Sequence, residues 1–205
     1  MLELASLGSQ VLHNRSVEMA KRYHVDLEVL SSSERKPGTK VKEVVKNVER
    51  MIISGVAKDT GIARITVVGV PDEPGVAFRV FNVMSKAKIN VDIILQSAGK
   101  NGSNDISFTV AEADADAAKA ALEEKLEAIG AERIAVDKDV AKVSVVGAGL
   151  MNAPGMAVQM FEALAGVGIN IQMISSSEIK LSAVIAQADA DRAVAAIHEK
   201  YFGES

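Results

Sequence analysis

The feature that most constrains the fold of this chain is an internal repeat. The first copy spans Gly61 to Gln96, and its pattern returns from Asp139 onward. The positions that align at one constant offset include Pro74 with Pro154, Phe81 with Phe161, Met84 with Leu164 and Asn90 with Asn170. Such self-similarity is typical of one supersecondary unit that is built twice, so the sequence predicts two copies of the same small fold.

Composition narrows the class of protein and of partner. With 205 residues, 48% hydrophobic and 24% charged, the chain is typical of globular domains. No uncharged run reaches about 20 residues, the length of a membrane span, and Glu3 stands where a signal peptide has basic residues. A net charge of -4 with 3% aromatic residues does not fit a nucleic-acid binder. The absence of cysteine excludes disulfides and thiolate sites. We expect a cytoplasmic protein with neither nucleic-acid nor membrane partners.

The first copy is predicted to contain six elements in the order βαββαβ. Apolar periodicity and turn residues predict a strand at 62–70, a helix at 75–88, strands at 90–97 and 105–112, a helix at 114–129 and a strand at 132–138. Asp114 or Asp116 is expected to cap the second helix, and Gly130 to end it. This order is the plan of ferredoxin-like domains, an antiparallel sheet with both helices on one face, so the fold class is α+β.

The second copy is one strand short. It is predicted as strand 140–147, helix 155–167, strands 168–175 and 178–186, and helix 189–201. A missing edge strand leaves its neighbour's backbone groups unpaired. The apolar segment Met51 to Lys58 has no partner of its own, so we predict that it completes the second sheet. The first domain would then be 61–139, inserted within a second domain made of 47–60 and 140–205.

The N-terminal residues predict smaller elements. A helix is expected over 2–24, broken near Gly8 and Asn14, followed by a short strand at 26–30. A polar turn covers 31–39, and a weak amphipathic segment covers 41–49. The Arg35-Lys36 pair in this turn could hold a phosphate, but a solvated loop is the preferred interpretation.

The turn Asp72-Glu73-Pro74-Gly75 predicts a ligand site. Proline presets the start of a helix, and the unpaired amides of Gly75, Val76 and Ala77 would face outward at the positive end of the helix dipole. Acceptor side chains are expected nearby from Asn90, Asp92 and Gln96. Amides for a carboxylate beside carboxylates for an ammonium describe a free amino acid. The simpler alternative is that Asp72 only caps its helix and Asn90 makes a turn.

Other motifs give weaker signals. Gly147 to Asn152 follows a strand but lacks the third glycine of a dinucleotide fingerprint. The three histidines have no metal-ligand spacing. Ser175-Ser176-Ser177 has no evident base, so the chain by itself does not look catalytic.

Four segments together resemble the tandem ACT domains of bacterial aspartate kinase. They are Val-Pro-Asp-Glu-Pro-Gly at 70–75, Ile-Asn-Val-Asp-Ile-Ile-Leu-Gln at 89–96, Asn-Asp-Ile-Ser-Phe-Thr at 104–109 and the run from Ile169 to Ser182. The likeness covers about residues 50 to 202. Residues 1–46 look like the end of that family's amino-acid-kinase domain, with Asn14 where the family usually has proline. The chain is therefore expected to be a separate regulatory β subunit or a fragment of a longer kinase.

The resemblance implies a regulatory function. In that family the ACT pair binds end-product amino acids, threonine or lysine, and inhibits phosphorylation of L-aspartate in lysine, threonine and methionine synthesis. ATP and magnesium would belong to the kinase lobe, leaving this chain without a cofactor and inactive alone. The implied partners are a second copy, joined through the ACT domains, and a catalytic α subunit or full-length kinase.

The resemblance also implies which residues form the effector site. It places the site between the first ACT domain of one subunit and the second of another. One wall comprises Asp72, Glu73, Pro74, Gly75, Val76, Ala77, Asn90, Val91, Asp92 and Gln96. The partner's wall comprises Met156, Ala157, Asn170, Ile171, Ser177 and Glu178. Gln172 replaces Asp92 in the second copy, so the two copies are not expected to carry equal sites.

Two alternatives remain at this point, a free-standing ACT sensor acting on another enzyme and a ligand-free assembly subunit. Asp92→Ala is expected to abolish effector binding without unfolding the protein.

Overall fold

The structure, a computed structural model, describes residues 11–34, 36–41, 53–98, 102–147, 150 and 155–203. The N-terminal part consists of helix α1 (Asn14–Arg22) and a two-stranded antiparallel sheet of β1 (Leu27–Val29) and β2 (Thr39–Val41). Residues 2–10 of the predicted first helix and 42–49 of the amphipathic segment lie outside the described residues. Residues 11–13 and 23–24, which were also predicted to be helical, are not helical. His13 caps α1 because its Nδ1 accepts a hydrogen bond from the Arg15 amide at 3.2 Å.

The first repeat folds as an α+β unit with a four-stranded antiparallel sheet. Its elements are β4 (Ile62–Pro71), α2 (Val76–Lys86), β5 (Ile94–Ala98), β6 (Ser103–Ala111), α3 (Ala115–Glu124), α4 (Leu126–Ile129) and β7 (Arg133–Asp137). The strand order is β5-β6-β4-β7. Alternate residues of β4 and β6 pack with α2 and α3 in one apolar core, which includes Ile65, Val80 and Phe108. The predicted ferredoxin-like plan is confirmed.

The second repeat has the same plan, and its missing strand comes from upstream. Its elements are β8 (Val140–Val146), α5 (Met156–Gly166), β9 (Met173–Ser177), β10 (Lys180–Ala186) and α6 (Ala190–Phe202), joined by β3 (Gly55–Asp59). The strand order is β3-β8-β10-β9. Strand β3 pairs with β8 in antiparallel register from Gly55 opposite Val146 to Asp59 opposite Lys142. The strand predicted from unpaired backbone groups is therefore present at the edge where it is needed.

Two short junctions connect the two sheets, and the same hydrogen bond is formed in both. Strand β3 of the second sheet leads into β4 of the first, and β7 of the first leads into β8 of the second. At the first junction the Asp59 carboxylate accepts the Gly61 amide at 3.0 Å, and at the second the Asp137 carboxylate accepts the Asp139 amide at 3.0 Å. The repeat therefore extends to the connections, and an internal pseudo-twofold axis relates the units.

A small apolar cluster packs the two units together beside these junctions. It comprises Ile62, Ile93, Val140, Met173 and Val184, each no more than 5% exposed. Further along the sheets, on the faces turned away from the helices, hydroxyl pairs occupy matching positions. Thr66 bonds Ser107 at 2.9 Å, and Ser144 bonds Ser182 at 2.7 Å. The apolar cluster between the units thus takes residues from both repeats.

Several helix and strand limits differ from the predictions for local reasons. Gly75 has a φ of 94°, so α2 begins at Val76 and Pro74 lies in the preceding turn rather than in the first helical position. Asp114 is the N-cap of α3, but its carboxylate accepts no capping hydrogen bond, and a 3-10 turn over Glu112–Asp114 precedes that helix. Strands β5 and β9 begin later than predicted, at Ile94 and Met173.

Gly130→Ala is expected to lower the free energy of unfolding by about 1–2 kcal/mol. Gly130 ends α4 as predicted, with a φ of 82°, and an added Cβ would lie 3.2 Å from Pro71 Cδ. Gly166→Ala is the matched control, since Gly166 is helical and no described atom lies within 4 Å of its Cβ position. Urea denaturation should show Gly166→Ala to be neutral or stabilising; equal losses in both variants would contradict the role of the positive φ.

Candidate functional site

The Asp72 to Gly75 turn forms an open ledge before α2. Asp72 Oδ1 accepts a hydrogen bond from Asn104 Nδ2 at 2.9 Å, so its carboxylate is tied to β6 and does not cap the helix. Glu73 pairs with Arg79 at 2.6 Å. No described atom lies within 4 Å of the position that a Cβ on Gly75 would take. Gly75 is exposed and Ala77 is half-buried, whereas Val76 is buried and its amide donates to the Glu73 carbonyl at 3.5 Å. The prediction that the Val76 amide is unpaired is therefore wrong.

The second part of the predicted wall lies before β5. Asn90 is exposed and Val91 is half-buried. The Asp92 amide donates to the Thr109 carbonyl at 3.0 Å, which continues the pairing with β6. The Asp92 carboxylate accepts a hydrogen bond from Lys142 Nζ at 2.6 Å, and Lys180 Nζ lies 4.0 Å away. Both lysines belong to the second unit, so this predicted ligand-binding carboxylate already has a counter-ion within the chain.

The charges around Asp92 decide its protonation. Burial raises the pKa of the Asp92 carboxyl, but the hydrogen bond and charge of Lys142, with the charge of Lys180, outweigh burial and hold the pKa below its ordinary value of 3.8. The Lys142 side chain is only 5% exposed. Its ammonium also lies 3.6 Å from the Asp59 carboxylate. Lys142 is thus a buried cation held between two carboxylates.

The residues predicted for the first wall of the effector site lie at opposite ends of the first sheet. Asp72 contacts β6 at Asn104, whereas Asp92 contacts it at Thr109, which is about 16 Å further along the strand. Strand β6 also separates β5 from β4, so Asn90 and Asp92 are not on a segment adjacent to the ledge. Gln96 lies between the two ends on β5 and pairs with Ile106. One small amino acid therefore cannot touch both the Gly75 ledge and Asp92 of the same chain.

A cavity of about 330 Å³ lies at the Asp92 end, where the two units meet. Its charged lining residues are Asp59, Asp92, Lys142 and Lys180, and Asn90 and Val91 also line it. Sequence reasoning missed Asp59, Lys142 and Lys180. The available signal was Lys142 itself, a lysine at the centre of a strand whose other residues are apolar or small. A buried lysine requires a partner, which a local pattern cannot identify.

The residues predicted for the partner's wall lie in the second unit, at the start of its first helix and at the two ends of β9. Met156 and Ala157 begin α5, where the Met156 carbonyl accepts a hydrogen bond from the Tyr201 hydroxyl. Burial raises the pKa of Tyr201. Asn170 and Ile171 precede β9. Ser177 ends β9, where its hydroxyl donates to the Lys180 carbonyl at 3.4 Å, and Glu178 is exposed in the following turn.

Gln172 marks the difference between the two units. It occupies the place of Asp92, and its amide donates to the Val184 carbonyl at 2.8 Å. Among the residues that the structure describes, its Oε1 is buried without a hydrogen-bond partner. The second unit therefore lacks a counterpart of the Asp92 carboxylate, which binds Lys142 from the first unit. Leu150 is buried, while the rest of the segment aligned with Asp72 lies outside the described residues.

Metal and membrane functions gain no support from the part of the chain that is described. There, no cluster of three or more His, Asp or Glu side chains is suited to a metal ion. Nor does that part contain a helix with the length and apolar character needed to cross a membrane.

Comparison with known proteins assigns the family. The ACT domain family model matches residues 65–126 and 143–201, one match in each unit. The chain is 43% identical to a chain in the crystal structure of aspartokinase alpha and beta subunits, covering 73% of this chain and 98% of that one with a TM-score of 0.69. This chain belongs to the aspartate kinase family.

Two further relatives define which part of an aspartate kinase it resembles. The ligand-free regulatory subunit of aspartate kinase from Thermus thermophilus is 39% identical, with a TM-score of 0.70 and coverage of 73% of this chain and 99% of that one. An aspartate kinase of Pseudomonas fluorescens is 46% identical over 202 residues, which are 98% of this chain and 49% of that protein. The chain spans about half the length of the curated relatives it matches and corresponds to their regulatory ACT region. The resemblance predicted from sequence is confirmed.

Proposed function

We propose that this chain senses an end-product amino acid and inhibits L-aspartate phosphorylation by the kinase with which it associates. Threonine is the first candidate effector and lysine the second. The observation that supports this proposal best is the cavity of about 330 Å³ between the two ACT units, because it presents carboxylates and ammonium groups together. The α-ammonium and α-carboxylate of a free amino acid match both.

The chemistry of the cavity fits a zwitterion in size and charge. Its volume lies in the range of small-molecule sites. Two of its ionic contacts are longer than hydrogen bonds, Asp59 to Lys142 at 3.6 Å and Lys180 to Asp92 at 4.0 Å. An effector ammonium bound at Asp59 and a carboxylate bound at Lys180 would replace these long contacts with charge-assisted hydrogen bonds.

A second copy of the chain is the proposed partner at the sheet edges. Strands β5 and β9 are edge strands, and Ile94, Leu95 and Ile174 on them are 54%, 40% and 48% exposed. Unpaired edge strands are templates for another chain. Pairing there would bring Gln96 and Ser177 to a boundary between copies, as the predicted two-chain site requires.

Inhibition follows from linkage. An effector that prefers one arrangement of the ACT units shifts the equilibrium toward it by its differential affinity for the two states. In the complete enzyme, we propose that this arrangement holds the kinase lobe inactive. The kinase lobe, either a catalytic α subunit or part of a full-length chain, would bind ATP and magnesium. The chain by itself is proposed to be inactive and to work in the cytoplasm.

Titration calorimetry of this chain with threonine, lysine, methionine and isoleucine tests the proposal. We expect saturable heat with threonine or lysine, and a larger dimer fraction by sedimentation velocity in the presence of the amino acid that binds. Glycine is the control ligand, since it carries both charges but no side chain for the cavity. Silence with all four end products would contradict sensing and favour a ligand-free assembly subunit.

A further inference from the structure

The pseudo-twofold axis exposes an asymmetry in two cross-strand ion pairs. In the first sheet, Arg64 on β4 lies opposite Asp137 on β7, and the two side chains bond at 2.8 Å. In the second sheet, Lys142 on β8 lies at the matching position opposite Asp59 on β3. That pair is stretched to 3.6 Å. The same register thus gives a hydrogen-bonded ion pair in one unit and a longer ion pair in the other.

Asp92 accounts for the difference. Lys142 Nζ lies 2.6 Å from the Asp92 carboxylate, closer than to its own cross-strand partner. On the other side of the axis, Gln172 stands where Asp92 would be, and Arg64 remains with Asp137. Lys142 therefore lies closer to this additional carboxylate than to Asp59.

The Lys142 and Asp92 side chains both line the cavity at the junction of the units, and so contribute to its net charge. Its ionic lining consists of the carboxylates Asp59 and Asp92 and the ammonium groups Lys142 and Lys180. The four charges cancel. A zwitterion with an uncharged side chain is also neutral and adds no net charge on binding. An amino acid with a second ammonium brings a net positive charge close to two lysines, and the Asp92 carboxylate is already bound to Lys142.

We propose that Lys142 is a specificity-determining residue that makes this cavity select amino acids with uncharged side chains over dicationic ones. The inference rests on the proposed function, since it assumes that an amino acid binds here. Lys142 acts through Asp92: while its ammonium occupies that carboxylate, no second ammonium can bind there without displacing it.

Lys142→Met tests this role because methionine fills a similar volume without charge and suits a buried strand. Calorimetry with threonine and lysine, at one moderate ionic strength, gives the ratio of their dissociation constants. In the variant the lining has a net charge of minus one, so we expect the ratio to shift toward lysine by about tenfold or more. Arg64→Met is the matched control, because it removes the cation at the equivalent register of the other unit and should leave the ratio unchanged.

A second variant keeps the test decisive if Lys142→Met folds poorly. Lys180→Met removes the more exposed cation of the same lining, at 21% exposure, and should move the ratio in the same direction by a smaller factor. The inference is overturned if both amino acids bind but the ratio stays at its wild-type value, or if Arg64→Met shifts it equally. If neither amino acid binds the wild-type chain, the effector site itself is wrong and the inference fails with it.

Discussion

Phe108→Ala is expected to lower the free energy of unfolding by about 3–5 kcal/mol, the largest effect of any single change considered for this chain. Phe108 lies on β6 at the centre of the first unit and is 0% exposed. Its ring meets that of Phe81 edge to face, with the ring centroids 5.4 Å apart at 63°. Truncation removes this aromatic contact and leaves a cavity between β6 and α2, which the surrounding helices and strands cannot fill without moving.

Phe78→Ala provides the matched control, because Phe78 lies on α2 of the same unit and is 72% exposed. Its loss should change the free energy of unfolding by no more than about 0.5 kcal/mol. Urea denaturation followed by circular dichroism measures both variants. Comparable losses in the two would show that the first unit is not organised around Phe108, and that Phe78 is buried in the protein as it exists in solution.

Much of the fold can be predicted from the sequence, because the signals that decide it are local patterns or the number of strands in each sheet. Apolar alternation identified the strands, and turn residues such as Gly130 identified where helices end. The placement of β3 required only that the second sheet was one strand short and that one apolar segment upstream had no partner. The backbone groups of every strand must be hydrogen-bonded, so a sheet that lacks one strand implies that another segment of the chain supplies it.

The ligand-binding geometry was less accessible because it depends on strand order and on contacts between units. The ledge at Gly75 and the carboxylate of Asp92 belong to the same repeat, and a sequence pattern gives no distance between them. Only the order β5-β6-β4-β7 shows that a whole strand separates them. Lys142 is 50 residues from Asp92 in sequence, and their contact at 2.6 Å arises from the packing of one sheet against the other.

The sequence shows that Gln172 in the second copy occupies the position of Asp92 in the first. It does not show the physical consequence of this difference. The sequence predicts only that one copy lacks an ammonium acceptor. The structure shows that the Asp92 carboxylate binds a buried lysine of the other unit, while the amide of Gln172 has a buried oxygen without a hydrogen-bond partner among the described residues. The difference between the copies therefore concerns the contact between the units as well as any ligand.

Asp92→Ala is expected to destabilise the protein by about 2 kcal/mol, because it leaves Lys142 without its nearest counter-ion. The effect is smaller than for a fully buried pair, since Asp92 is 46% exposed and Asp59 remains 3.6 Å from the lysine. The double variant Asp92→Ala with Lys142→Met should recover most of this loss, because no buried charge is then unpaired. Asp116→Ala is the control: it removes an exposed pair with Lys138 and should cost less than about 0.5 kcal/mol.

The pH dependence of the same variants separates this ion pair from a packing effect. The pKa of Asp92 is lowered in the folded protein, from an ordinary value of 3.8, so its ionised form stabilises the fold above that value. As the pH falls through the lowered pKa, the carboxyl is protonated and this stabilisation is lost. The difference between wild type and Asp92→Ala should therefore be constant near neutral pH and close below about pH 4. A difference that persists in acid would mean that alanine disturbs packing rather than charge. Because a loss of about 2 kcal/mol leaves a domain of ordinary stability folded, a missing effector response in Asp92→Ala is still interpretable once the double variant has been compared.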